Sequence, residues 1–205
     1  MRSQQKKERI LEAAELLFAE AGYEGATVRR IAEAANANVA SINYHFGSKH
    51  ALWLETLQRV LDGIRDEAIA EISAYQGNAS AFIDQALRRF FDYFLEREHH
   101  VRLIYHGQAR GDSEVFLRLS RPFFEQVYAF FDTLNLRPPA GIDPPLALMD
   151  PAYALLSLIH RRKELEILLG GDFRDPAFRD RLLRHLSTMA HLLLGLPVDT
   201  AFPQD

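Results

Sequence analysis

The stretch Asn36–Phe46, NANVASINYHF, holds the residues of this chain best placed by type and spacing to do chemistry at a surface. Val39, Ala40 and Ser41 are small enough for a helix carrying them to enter a groove about 12 Å wide. A Val or Ala methyl there can touch a thymine methyl, and Ser41 can bond a base edge or a phosphate. Asn43, Tyr44 and His45 are neutral or weakly basic donors, suited to phosphate oxygens. Lys49 adds a full charge beside backbone N–H groups that also attract phosphate. Catalysis is a poorer reading of the same residues. His45 has no Ser, Cys or Asp near it in a triad-like arrangement. A second set, His99-His100 with His106, raises metal binding, but its acidic and His partners look scattered along the sequence, so no metal and no cofactor are expected.

These side chains need elements to hold them, and helical punctuation supplies them. Ile10, Ala14, Leu17 and Ala21 recur at helical spacing, and Gly22 ends that helix. Thr27 can cap a second helix, VRRIAEAA. Only Asn36, Ala37 and Asn38 separate it from VASINYH. Two short helices joined by so tight a turn describe a helix-turn-helix. The turn wants a residue that tolerates positive φ, which Asn36 does, and Asn38 can cap the second helix. Ile31, Ala32, Ala35, Ile42 and Phe46 are expected to form the core of this unit. Thr27 and Arg29 join the candidate contacts, while Arg2, Lys6 and Lys7 form either a solvated arm or further phosphate ligands.

Beyond residue 47, Ser48 caps a long helix, and Gly77-Asn78 precede another, SAFIDQALRRFFDYFLERE. A shorter helix lies near VRLIYHGQAR. Asp112 or Ser113 caps the next, with a kink or restart expected at Pro122. Residues 137–145, RPPAGIDPP, read as a loop. Asp150-Pro151 and Gly170-Gly171 bracket one late helix, and Asp175-Pro176 and Gly195 bracket the last. No strand pattern competes. The expected fold class is all-α with about nine helices: residues 1–47 a three-helix DNA-binding domain, residues 48–205 a second helical domain.

Composition allows this and excludes other classes. The 205 residues are 48% hydrophobic and 25% charged, an ordinary globular mixture. No apolar run approaches a membrane span, no apolar leader follows the N-terminal charges, and there is no cysteine, so a cytoplasmic protein is expected. The net charge is −4, yet residues 1–50 carry seven Lys/Arg against six acids. A small, locally basic face suffices for a groove-binding module.

The order Thr27, Arg29, IAEAANAN, INYHF, Ser48-Lys49 resembles the N-terminal domain of TetR-type transcriptional regulators over roughly residues 6–58. The form NVASINYHFGSK is similar to one subset, the CecR-like regulators. Two positions depart from the family pattern: Asn36 stands where Gly is usual and Asn43 where Tyr is usual. The resemblance implies DNA contacts by Thr27, Arg29, Asn38, Val39, Ala40, Ser41, Asn43, Tyr44, His45 and Lys49. It implies a homodimer whose last two helices pair with their mates, through Leu155, Ile159, Leu182, Leu186, Met189 and Leu193. It also implies a pocket for a small, largely apolar or aromatic effector in the aromatic-rich middle, with Phe94, Tyr105, His106, Phe124, Tyr128 and His160 as candidate lining. The expected function is ligand-responsive repression at a palindromic double-stranded operator, without membrane partners. Two rivals stand beside it: an enzyme using the His and Tyr side chains, for which no nucleophile motif, phosphate loop or metal signature is present, and a module whose N-terminal helices bind a protein.

Overall fold

A computed structural model describes residues 2–111 and 113–198; the side chains of Arg2, Ser113, Val115 and Phe116 lie outside the described set, as does Asp112, so the expected cap at Asp112 or Ser113 is outside it too. Ten α-helices and no strand occur among the described residues: α1 Arg2–Gly25, α2 Val28–Ala34, α3 Val39–Phe46, α4 Lys49–Ser73, α5 Ala79–Glu96, α6 Glu98–Ala109, α7 Ser113–Thr133, α8 Pro144–His160, α9 Arg162–Leu169 and α10 Pro176–Leu194. The all-α expectation holds, with one helix more than the nine read from punctuation.

The local signals act as their chemistry dictates. Gly22 takes a φ of 66° and breaks α1 three residues before its end. The Arg30 N–H donates to Thr27 Oγ1 at the start of α2, and the Ala51 N–H donates to Ser48 Oγ at the start of α4. Gly170 and Gly195 close α9 and α10 in the left-handed conformation. Gly195 is also a close approach, since a Cβ there would lie 1.8 Å from the carbonyl oxygen of Arg137.

Two boundaries differ from the sequence reading. α8 starts at Pro144, not at Asp150-Pro151: Asp143 Oδ1 accepts the Leu146 N–H at 3.1 Å, and Pro151 sits inside the helix. The same stretch is then interrupted at Arg161, giving α8 and α9 where one helix was expected. α7 is assigned as one helix through Pro122.

The chain forms two compact units, Met1–Asp66 with Arg97–Pro122, and Glu67–Glu96 with Phe123–Asp205. α4 and α7 therefore carry residues of both. In the first unit, α6 packs along α1, and α2 and α3 pack on α1. Its core holds Ile10, Phe18, Ile31, Ile42, Leu52, Trp53 and Leu103, all fully buried, with the Phe18 ring edge-on to Trp53 at 5.0 Å. In the second unit, α10 packs on α8 and α5. Phe91, Phe173, Leu155 and Leu186 are buried there, and Arg179–Asp92 and Arg88–Asp180 pair at 2.9 and 3.2 Å. Among the described residues no helix is long and apolar enough to cross a membrane.

Candidate nucleic-acid interface

α2, its turn and α3 are fixed from within. Ile31, Ala32, Ala35, Ile42 and Phe46 are all buried, as their spacing requires. Asn36 adopts a φ of 46°, the left-handed value the turn demands, which Asn reaches at lower cost than most residues. The Ala37 N–H donates to the Ala32 carbonyl at 2.9 Å, and Arg9 Nε donates to the Ala35 carbonyl at 3.4 Å, tying the turn to α1. Asn38 Oδ1 then accepts twice, from the Ser41 N–H at 2.8 Å and from Ser41 Oγ at 2.7 Å. This cap satisfies one of the orphan donors at the helix N-terminus.

The anchors Ile42 and Phe46 turn one side of α3 inward, so the opposite side faces out. Val39, Ala40, Asn43 and Tyr44 are exposed, Tyr44 to 81%, and Ser41 and His45 are half-buried. The His45 ring lies edge-on to Tyr44 at 5.1 Å. α3 contains no acid. Arg29 is exposed and sits 3.6 Å from Glu33 one turn on, a weak surface pair. The Thr27 hydroxyl accepts the cap bond and retains its own O–H for an outside acceptor.

Lys49 opens α4 and is drawn toward the end of α1. Its Nζ lies 4.4 Å from the centre of the Tyr23 ring and 3.4 Å from the Glu24 carbonyl. The Arg110 guanidinium, just past α6, sits 3.6 Å over the same ring and pairs with Glu24 at 3.3 Å. Sequence reading missed this cation–aromatic–cation stack, because nothing local links residue 110 to residue 23. Of the N-terminal cations, Lys7 pairs with Glu55 at 2.6 Å, on the chain's own surface.

The structure also places the other candidate residues. Tyr128 lines a groove in the second unit with Phe131, Leu136, Pro144, Leu148 and Leu194. Burial, with Tyr153 and Asp143 nearby, pushes the Tyr128 phenol above its usual range, so it stays a neutral donor. Phe94 is buried beside Phe90, Phe124 tilts against Phe123, and His160 is exposed at the end of α8. Tyr105 and His106 fall in the first unit, where the His106 ring fills the space beside Gly22. The expected dimer residues lie on α8 and α10. Leu155, Ile159, Leu182 and Leu186 are buried within the single chain, between 1% and 6% exposed, because α5, α8 and α10 cover one another. Met189 and Leu193 are half-buried, and Leu192 on α10 and Tyr153 on α8 are exposed.

A second cluster joins the His99-His100 pair to Glu15, a partner that was not legible. Glu15 on α1 meets His99 and His100 at the start of α6: its Oε1 lies 2.8 and 3.0 Å from their Nε2 atoms. Burial pushes the Glu15 carboxyl up, but hydrogen bonds and charge from His100 and His99 outweigh it and hold the group down at about 2. Its other oxygen is 3.3 Å from Arg59 Nε, and Arg59 also pairs with Glu8.

With this geometry in hand, known proteins place the chain. A family model described as "Bacterial regulatory proteins, tetR family" matches residues 10–56, the span from α1 into α4. Over residues 10–56 the chain is similar to the DNA-binding part of the tetR family. The chain is 40% identical over 70 residues to the HTH-type transcriptional repressor AcnR of Corynebacterium efficiens, covering 32% of this chain and 37% of that one. It is 29% identical over 98 residues to IcaR of Staphylococcus aureus (strain Newman), described as a negative transcriptional regulator of a biofilm operon, covering 47% and 50%. These matches thus span a third to a half of the relatives' lengths. Over the whole fold, a TetR family transcription regulator from Marinobacter aquaeolei VT8 has a TM-score of 0.74 at 21% identity, covering 92% of this chain and 95% of that one. The TetR-type match encloses every candidate DNA-contact residue.

Proposed function

We propose that this chain is a DNA-binding transcriptional regulator, a repressor that grips a palindromic operator as a homodimer and is released by a small apolar or aromatic effector. The observation that carries the reading is α3: eight residues, capped by Asn38, anchored by Ile42 and Phe46, with Val39, Ala40, Asn43 and Tyr44 left outward. A rod of that width fits a major groove. Small side chains at its start let base edges approach, and the donors at its far end meet phosphates. Thr27, Arg29, Asn38, Ser41, His45 and Lys49 complete the contact set, the last by swinging Nζ from the Tyr23 ring to a phosphate.

One such module binds weakly, so two copies are needed, with α3 helices about 34–36 Å apart or a multiple of that. The exposed side of α10 and α8, with Leu192, Met189, Leu193 and Tyr153, is the surface we assign to the mate. The Tyr128 groove is the candidate effector site within the second unit, its lining mostly apolar, with Asp132, Asn135, Arg137 and the Tyr128 phenol as polar groups. An effector that prefers one arrangement of the dimer shifts the population away from DNA, and about 1–3 kcal/mol of coupling is enough to matter. The division of labour at residue 47 is part of this proposal; the compact units are drawn differently, because α6 and part of α7 pack with the N-terminal helices.

The test is footprinting of the purified protein on the DNA upstream of its own gene, with native chain and Tyr44→Ala compared. A symmetric protected site that Tyr44→Ala loses supports the reading. Equal, salt-insensitive behaviour of both on all duplexes refutes it.

A further inference from the structure

Glu15, His99 and His100 bring one carboxylate oxygen and two imidazole nitrogens together, all within 4.8 Å of one another. The two histidines are neighbours in the first turn of α6, and 84 and 85 residues separate them from Glu15. Their rings stand 4.6 Å apart and steeply inclined at 75°, so both Nε2 atoms converge on one point instead of stacking. Glu15 and His100 side chains are about a tenth exposed, and His99 about a quarter, so the cluster is enclosed with one opening.

We propose that these three residues form a binding site for a divalent transition cation of the zinc class. Two imidazoles with one carboxylate is a donor set that selects such ions over magnesium or calcium, which take oxygen ligands. Three protein ligands leave a fourth position for water, and the opening beside His99 supplies it. Around a tetrahedral ion with bonds of about 2.1 Å, ligand atoms lie roughly 3.3–3.5 Å apart. The present 2.8 and 3.0 Å separations need to open by only about half an ångström. Arg59 Nε, 3.3 Å from Glu15 Oε2, fixes the carboxylate so that Oε1 faces the imidazoles, the outer-shell role such ligands require.

Charge favours a cation here: Glu8, Glu12 and Glu15 all act on Arg59, three carboxylates against one guanidinium. The positive end of α6 opposes a cation there, but Glu98 stands in the same turn and offsets it. An ion so bound would clamp α1 to α6 inside the unit that carries α3, with no DNA needed for it to bind.

The experiment uses the full chain, freed of metal with a chelator and desalted, titrated calorimetrically with zinc chloride at pH 7.5 and separately with cobalt(II) chloride. One ion per chain and a visible cobalt spectrum of four- or five-coordinate intensity are expected. Glu15→Gln and His100→Gln should each weaken zinc binding by tenfold or more, while His185→Ala, on the exposed face of α10, leaves it unchanged. No stoichiometric binding, or equal binding in Glu15→Gln and His100→Gln, overturns the proposal. Should those variants not fold, long-range 1H–15N spectra of the native protein decide. Zinc must then move the Nε2 signals of two histidines and leave the other six of the eight unmoved; any other pattern overturns the assignment.

Discussion

Asn38 holds the N-terminus of α3 by accepting the Ser41 N–H and Ser41 Oγ at 2.8 and 2.7 Å, which makes it possible to separate the fold of α3 from its contact with DNA. Asn38→Ala removes the cap. Losing an Asn cap costs about 1 kcal/mol, and for a chain of this size that lowers Tm by about 2–4 °C. Asn38→Asp keeps the acceptor and adds a negative charge at the positive end of the helix, worth roughly 0.3–1 kcal/mol in its favour. Its Tm should match or exceed the native value. Toward DNA the two changes reverse order. A carboxylate about 6 Å from a phosphate is repelled by roughly 0.7 kcal/mol in a water-like dielectric and about 3 kcal/mol at an effective value of 20. Affinity should then fall between about 3-fold and 100-fold. Thermal unfolding followed by tryptophan fluorescence, with Trp53 in the core of the same unit, and duplex binding by fluorescence anisotropy at two salt concentrations make the pair of measurements. A folded Asn38→Asp protein that binds duplex as tightly as the native one at low salt would refute the docking of α3, because no phosphate could then lie near its N-terminus.

Five further outcomes follow from the same geometry. Lys49→Ala should flatten the plot of log affinity against log salt by about one unit, read from anisotropy titrations, since one phosphate partner is lost. Asn36→Val should destabilise the protein by roughly 1–2 kcal/mol in chemical denaturation, because a β-branched residue resists the φ of 46°, whereas Asn36→Gly should be neutral or stabilising. Leu186→Ala should cost about 2–5 kcal/mol of stability, as a side chain only 1% exposed within the chain's own core. Leu192→Glu, on the exposed side of α10, should instead leave Tm of the monomer near native and shift sedimentation from dimer to monomer. In the metal-free protein, Glu15 is held at about 2, below its usual 4.5, so its contribution to stability is full above pH 4.5 and is lost as pH falls toward 2. Glu15→Gln should show a flatter loss of stability across that window in acid titrations followed by circular dichroism.

What the sequence revealed was local. Thr27, Asn38, Ser48 and Asp175 cap their helices, and Asn36, Gly170 and Gly195 take positive φ, because each of these acts within four residues of itself. Even there competition misled: Asp143-Pro144 and Asp150-Pro151 carry the same start signal, and the chain uses the first. The break at Arg161 has neither Gly nor Pro to announce it. An apolar stripe says that a helix has something to bury, not what covers it. Leu155, Ile159, Leu182 and Leu186, expected to face a mate, are buried in the single chain, where α5, α8 and α10 pack together. The His99-His100 pair was visible in the sequence, but its partner Glu15 was not, being brought to it only by the packing of α1 on α6.

That split between local and distant determinants also accounts for how this chain resembles others. The sequence likeness is concentrated in residues 10–56, while the likeness of fold extends over 92% of the chain at only 21% identity. Reading a groove fixes individual side chains: a residue that tolerates positive φ at Asn36, an oxygen acceptor at Asn38, small residues at Val39 and Ala40. Each has few substitutes that keep the geometry. A helical bundle fixes only volumes and faces, and interior apolar side chains can exchange in concert without changing the architecture. The second unit is therefore free to present different linings around the Tyr128 groove under one fold. It follows that an effector of the proposed regulator has to be sought from the chemistry of that groove in this chain, where Phe131, Leu136 and Leu148 meet Asp132, Asn135, Arg137 and the Tyr128 phenol, and not from likeness over residues 10–56.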